Sequence, residues 1–163
     1  MDIRKLYEYA LQREYEGKLF FETNASRLSH AAAVAAFTRL AAEEQRHIEF
    51  VQAQINLMAS GKTADAAFGE ELNRSGVFSQ RAAAEFIDET VLEAMVPDLP
   101  ILRMAYLIEQ DFAEFYEQMA QKTEGEVRKV LEILASWERR HAALFKMMHD
   151  QAFDEYTQMP WGG

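Results

Sequence analysis

Glu44-Gln45-Arg46-His47 and Glu138-Arg139-Arg140-His141 place two metal-ligating side chains three residues apart, each within a strongly helical stretch. On a helix, residues i and i+3 lie on adjacent turns of one face. A carboxylate oxygen and an imidazole nitrogen can therefore reach one ion without bending the backbone. Each pair follows a helical stretch that carries a lone Glu on its apolar side, Glu14 in the first half and Glu109 in the second. Two lone glutamates plus two Glu-x-x-His pairs are what a four-helix bundle needs to hold two metal ions in its core. The candidate ligands are Glu14, Glu44, His47, Glu109, Glu138 and His141. One histidine is expected on each ion, with Glu44 and Glu138 bridging. Four carboxylates balance two divalent ions, whereas four bare carboxylates in a dry core would be prohibitively costly. Oxygen-rich ligation with one imidazole per ion suits two Fe or two Mn ions, with another divalent metal as the alternative.

Other polar residues rank lower. Glu16 and Asp111 stand at matched places beside the lone glutamates and are the substitutes if the helical register is shifted. Tyr106 and Tyr116 flank Glu109 at one and two turns and are candidates for donors to the ligands. His30 and His149 have no Glu at the right spacing and are expected near helix ends. Met147-Met148 reads as core.

The elements that must position these groups are helices. The chain has 163 residues, 49% of them hydrophobic, with only seven Gly and three Pro. That is enough for one domain, 1–163, with a core of its own. A net charge of −10 argues against binding nucleic acid through phosphate contacts. The absence of cysteine excludes disulfides, thiolate metal sites and an in-chain iron held by four thiolates. No run of about 18 apolar residues suggests a membrane span. The N-terminus, Met1-Asp2-Ile3-Arg4-Lys5, leads into an amphipathic helix without a secretory apolar region, so a cytoplasmic location is expected.

Apolar periodicity predicts bundle helices over about 2–28, 30–60, 98–122 and 124–150. Ser29 reads as the cap of the second, with Gly61 as its stop. Asp98 is a candidate cap for the third, after the break at Val96-Pro97. Thr123-Glu124-Gly125-Glu126 fits a capping box for the fourth. The last dozen residues read as irregular. Residues 61–97 form the connection, mixed over 61–78 and helical from about Ser79 to Met95.

The two halves repeat. Glu14, Phe20-Phe21 and Glu22 recur as Glu109, Phe115-Tyr116 and Glu117 at an offset of 95, and Glu44-x-x-His47 recurs at an offset of 94. A near-constant offset implies two helical hairpins related by a pseudo-twofold axis. That axis makes the third helix antiparallel to the first. The connection must then cross the full length of the bundle. The expected fold is all-α, a four-helix bundle with one long crossover containing an additional helix.

On these residues the chain resembles the ferritin-like superfamily, and within it the rubrerythrin-like (erythrin) di-iron carboxylate proteins. The resemblance covers the four bundle helices and leaves 61–97 unexplained. It implies a non-haem di-iron centre acting on peroxide or oxygen, as a peroxide scavenger or ferroxidase. The alternative is an iron-binding or iron-delivery protein without efficient turnover. Two departures stand out. The four-cysteine rubredoxin-like domain typical of rubrerythrins is absent, so electrons would come from a separate donor protein. Rubrerythrins add a glutamate one turn after the third-helix ligand, where this chain has Phe112; the symmetric six-ligand set is closer to bacterioferritin. A homodimer is expected rather than a large shell, because the additional helix alters the outer packing surface.

Overall fold

A computed structural model describes residues 1–74 and 93–160. Its elements are α1 (Ile3–Ala25), α2 (Ala31–Ala59), α3 (Ala67–Arg74), a 3₁₀ helix over Glu93–Asp98, α4 (Leu99–Ala120) and α5 (Gly125–Gln158). The described residues contain no strand, and the architecture is the all-α ferritin-like bundle that the sequence predicts. No described helix is long and apolar enough to cross a membrane. Of the helix expected from about Ser79 to Met95, residues 79–92 lie outside the described residues, and 93–95 belong to the 3₁₀ helix.

Each hairpin is antiparallel because its connection is short, and the hairpins pack in opposed directions. Tyr9 of α1 meets Phe115 of α4, and Gly17 meets Phe112 further along. Phe37 of α2 meets Phe145 of α5, while Phe50 meets Trp137. The C-terminal ends of α2 and α4 therefore share one end of the bundle. The chain from Ala59 to Leu99 must run to the other end, as a long crossover requires.

The core divides into two apolar clusters. One gathers Leu6, Tyr7, Phe50, Val51, Tyr116 and Leu131 near the C-terminal ends of α2 and α4. The other gathers Phe21, Phe37, Leu40, Leu102, Phe145 and Met148 at the opposite end. Burying each such side chain contributes about 1.5–3 kcal/mol. Between the clusters lies a polar layer, formed by Glu14, Glu44, His47, Glu109, Glu138 and His141.

Helix ends depart from the expected caps. Asp2 caps α1 by accepting from the Lys5 N–H. At α2 the cap is His30, not Ser29; its Nδ1 accepts from the Ala32 N–H at 3.1 Å. Asp98 occupies the cap position of α4 but makes no cap bond there. Its buried carboxylate instead accepts from the Ser29 and His30 N–H groups at 2.7 and 3.0 Å. It thus serves the start of α2 from 68 and 69 residues away, satisfying donors no local residue reaches. The expected capping box of the fourth helix does not form. Thr123 Oγ1 donates back to Met119 and Ala120 carbonyls, and Glu126 accepts from the Ala66 N–H. Gly61 stops α2 as expected, at φ 75°, within paired Lys62 N–H to Leu57 and Gly61 N–H to Met58 bonds.

Two segments are more ordered than the sequence suggests. α5 runs to Gln158 rather than Asp150, because Ala152 is fully buried in the second cluster and no breaker precedes Pro160. Residues 67–74, expected within a mixed connection, form α3. Asp65 Oδ1 starts it by accepting from the Ala67 N–H at 2.8 Å. Gly69 lets it approach the bundle, since a Cβ there would lie 2.8 Å from Phe50.

Asp98→Ala removes two buried acceptors from the start of α2 and should cost about 1–2 kcal/mol. Urea unfolding reads this as a lower midpoint with an unchanged slope. An unchanged midpoint would contradict the cross-chain cap.

Candidate metal centre

Six side chains predicted from spacing converge in the polar layer. Glu14, Glu44, Glu109 and Glu138 are completely buried, and His47 and His141 nearly so. They fall into two overlapping groups, Glu14-Glu44-His47-Glu138 and Glu44-Glu109-Glu138-His141, each with ligand atoms within 4.8 Å of one another. Glu44 and Glu138 belong to both, which is the geometry a bridging role requires.

The imidazoles point inward through Nδ1. His47 Nδ1 lies 3.1 Å from Glu14 Oε2, 3.3 Å from Glu44 Oε2 and 3.0 Å from Glu138 Oε1. His141 Nδ1 lies 3.3 Å from Glu109 Oε2, 3.0 Å from Glu44 Oε1 and 3.3 Å from Glu138 Oε2. Each shared carboxylate thus turns one oxygen toward each histidine. The rings lie nearly parallel, with centroids 5.2 Å apart.

An imidazole N–H satisfies one acceptor well, and here the recorded bonds go to Glu14 and Glu109. Both oxygens of Glu44, both of Glu138 and Oε1 of Glu109 are buried without a hydrogen bond. Orphaned carboxylate oxygens in a dry core are costly. A cation pair would satisfy them, and carboxylate oxygens with one imidazole per ion form a donor set suited to Fe or Mn. The residues fit a metal site.

Protons take on the charge balance when no cation is present. Burial raises Glu14 and Glu109 well above the usual carboxylate range, reinforced by the neighbouring carboxylates. Burial pushes Glu44 and Glu138 upward too, but the two histidines outweigh it and hold both below that range. Burial lowers His47 and His141, and the surrounding glutamates reverse it, leaving both raised well above the usual imidazole value. These directions favour protons on the two histidines, Glu14 and Glu109, and charge on Glu44 and Glu138.

The remaining predicted residues separate cleanly. Tyr116 donates its hydroxyl to Glu14 Oε1. Tyr106 instead packs at the margin of the second apolar cluster, and no described hydrogen bond links it to the carboxylates. Seven residues return a helix to nearly the same face, so Tyr116 follows Glu109 inward, whereas Tyr106 is only half-buried and turns to the second cluster. Glu16 and Asp111 are exposed and are not substitutes for the lone glutamates. His30 caps α2, and His149 stacks on Phe153 within α5 rather than at its end.

Sequence reasoning missed two neighbours of the histidines. Glu43 is buried with Oε2 at 3.3 Å from His141 Nε2, and Trp137 stacks on His47 at 4.5 Å. The 94-residue offset pairs them, each one residue before a ligand glutamate, which is the signal that could have found them. Arg46 and Arg140 are likewise paired by the offset. They line a cavity of about 20 Å³ together with Glu43, Leu72 and both imidazoles. On the opposite face, Phe112 covers the site. A Cβ on Gly17 would lie 3.2 Å from its ring and 3.5 Å from Glu44 Oε2, and the Arg13 guanidinium lies 4.2 Å above it.

Residues 100–160 match the family model for Rubrerythrin. Over that span the chain is rubrerythrin-like. The matched span holds Glu109, Glu138 and His141, the second half of the constellation; Glu14, Glu44 and His47 lie outside it. No curated protein and no solved structure matches the chain.

The raised histidines bind protons in the folded state that they lose on unfolding, so their stabilisation disappears as pH rises through their folded values. Raised Glu14 and Glu109 act in the same direction, because ionising them in the core costs more than in the unfolded chain. Lowered Glu44 and Glu138 act oppositely, and their contribution is lost only as pH falls through their folded values. The melting temperature in chelator should therefore decline as pH rises from about 5 to about 9. Glu14→Gln should flatten the decline. Calorimetry showing a level or rising trend would contradict this charge assignment.

Proposed function

We propose that the chain is a non-haem di-iron carboxylate oxidoreductase acting on peroxide or oxygen, as a peroxide scavenger or a ferroxidase. The observation that carries this reading is the pair of shared carboxylates, Glu44 and Glu138, with each oxygen turned to a different imidazole. In this reading His47 and Glu14 would hold one Fe ion and His141 and Glu109 the other, with Glu44 and Glu138 shared between them. Two Fe(II) ions held there would supply the two electrons that, with two protons, reduce peroxide to two waters.

The chain's own residues contribute neutralisation, exclusion of solvent and proton handling. Loading two divalent ions displaces protons held by these groups, so the layer stays near neutral. The apolar clusters at either end keep bulk water from the layer. Tyr116 fixes Glu14 by its hydroxyl hydrogen bond and holds a proton at Glu14 Oε1. With no cysteine in the chain, re-reduction calls for an external electron donor protein. A cytoplasmic homodimer suits the reading.

The test is rapid mixing of the Fe(II)-loaded protein with peroxide, following the rise of Fe(III) absorbance. The wild type should oxidise two Fe(II) per peroxide, well above the rate of free Fe(II). Glu44→Ala and Glu138→Ala should each reduce the rate at least about 100-fold, as loss of a bridging ligand demands. Oxidation no faster than that of free Fe(II), with iron still bound, would contradict the enzymatic reading and favour iron delivery.

A further inference from the structure

The repeat makes the two halves of the site equivalent in ligands but not in the groups behind them. Glu43 of α2 reaches across to His141, its Oε2 3.3 Å from Nε2, and is itself held by Arg39 at 3.1 Å. Its repeat-mate Trp137 reaches from α5 to His47 and lays its indole flat on the ring, at 4.5 Å and 13°. Asn73 of α3 accepts the indole N–H at 2.7 Å, so the ring has no donor left for the histidine. His141 is thus backed by a carboxylate and His47 by an aromatic face.

The lone glutamates differ as well. Tyr116 donates to Glu14, while its repeat-mate is Phe21, which has no hydroxyl to offer Glu109. Oε1 of Glu109 is accordingly buried without a hydrogen bond.

Both differences favour the same half. An imidazole N–H donated to a carboxylate fixes the tautomer, leaves Nδ1 free for an ion and feeds charge into the ring. A phenol donated to a ligand carboxylate withdraws charge from it. We infer that the two metal positions are unequal, that the one served by Glu109 and His141 fills first, and that Glu43 is the positioning residue responsible. This inference rests on the metal-pair reading above.

Co(II) is the probe, because its visible absorption and paramagnetic shifts report each ion separately. Titration of metal-free wild type should show two steps, the first at least about tenfold tighter. At one equivalent, a shifted imidazole N–H should exchange slowly with water, since Glu43 holds it. Glu43→Gln should weaken the first step about 10–100-fold and speed that exchange, with the second step unmoved. Glu43→Asp should restore part of both effects. Tyr116→Phe should tighten the second step and narrow the gap. Circular dichroism of each variant verifies that the bundle is intact. Two equal steps in wild type, or equal weakening of both by Glu43→Gln, would overturn the inference while leaving the metal pair standing. Folded wild type that binds no Co(II) would overturn the metal-pair reading itself.

Discussion

Four carboxyl groups and two imidazoles fully enclosed between apolar clusters impose one requirement on everything around them: the layer must be close to neutral. In one state, protons favoured on the two histidines, Glu14 and Glu109 serve it. Two divalent ions would meet it in the other. The bundle exists to hold the six groups at distances where either solution works. Each antiparallel hairpin supplies two faces that carry these groups, and the packing of the hairpins brings those faces together.

The duplicated hairpin explains both the strength and the asymmetry of the site. Repetition delivers the same ligand set twice, so Glu44 and Glu138 fall near the pseudo-axis and are shared. Positions one step removed are free to diverge. Gly17 and Phe112 are repeat-mates that pack against each other, the glycine making room for the ring. Glu43 and Trp137 are repeat-mates that support opposite histidines by different means. A layer symmetric in its ligands is thereby asymmetric in its surroundings.

Much of this was legible because it depends on periodicity. A lone Glu in an apolar stripe and a Glu-x-x-His pair define a face, and four such faces can close in few ways. Bundle helices and all six buried side chains of the polar layer follow from that. What did not follow depends on contacts between distant segments. Asp98 looks like the cap of its own helix, yet it serves α2 because the 3₁₀ turn brings it there. α3 gains its place from Gly69 against Phe50 and from Asn73 against Trp137, neither visible locally. Tyr106 and Tyr116 both lie within two turns of Glu109, yet only Tyr116 meets a carboxylate across the bundle, while Tyr106 packs at the second cluster. Glu43 was hidden by its neighbour, since a Glu-Glu pair next to a ligand reads as one buried and one solvated residue.

The central claim is that the shared carboxylates hold a pair of cations. Crystals loaded anaerobically with Fe(II), with anomalous data collected on both sides of the iron edge, test it most directly. The account predicts two iron peaks roughly 3.5–4 Å apart, flanked by Glu44 and Glu138, one nearest His47 and the other nearest His141. A single peak, or iron confined to the exposed acidic surface with the buried layer unchanged, would contradict it.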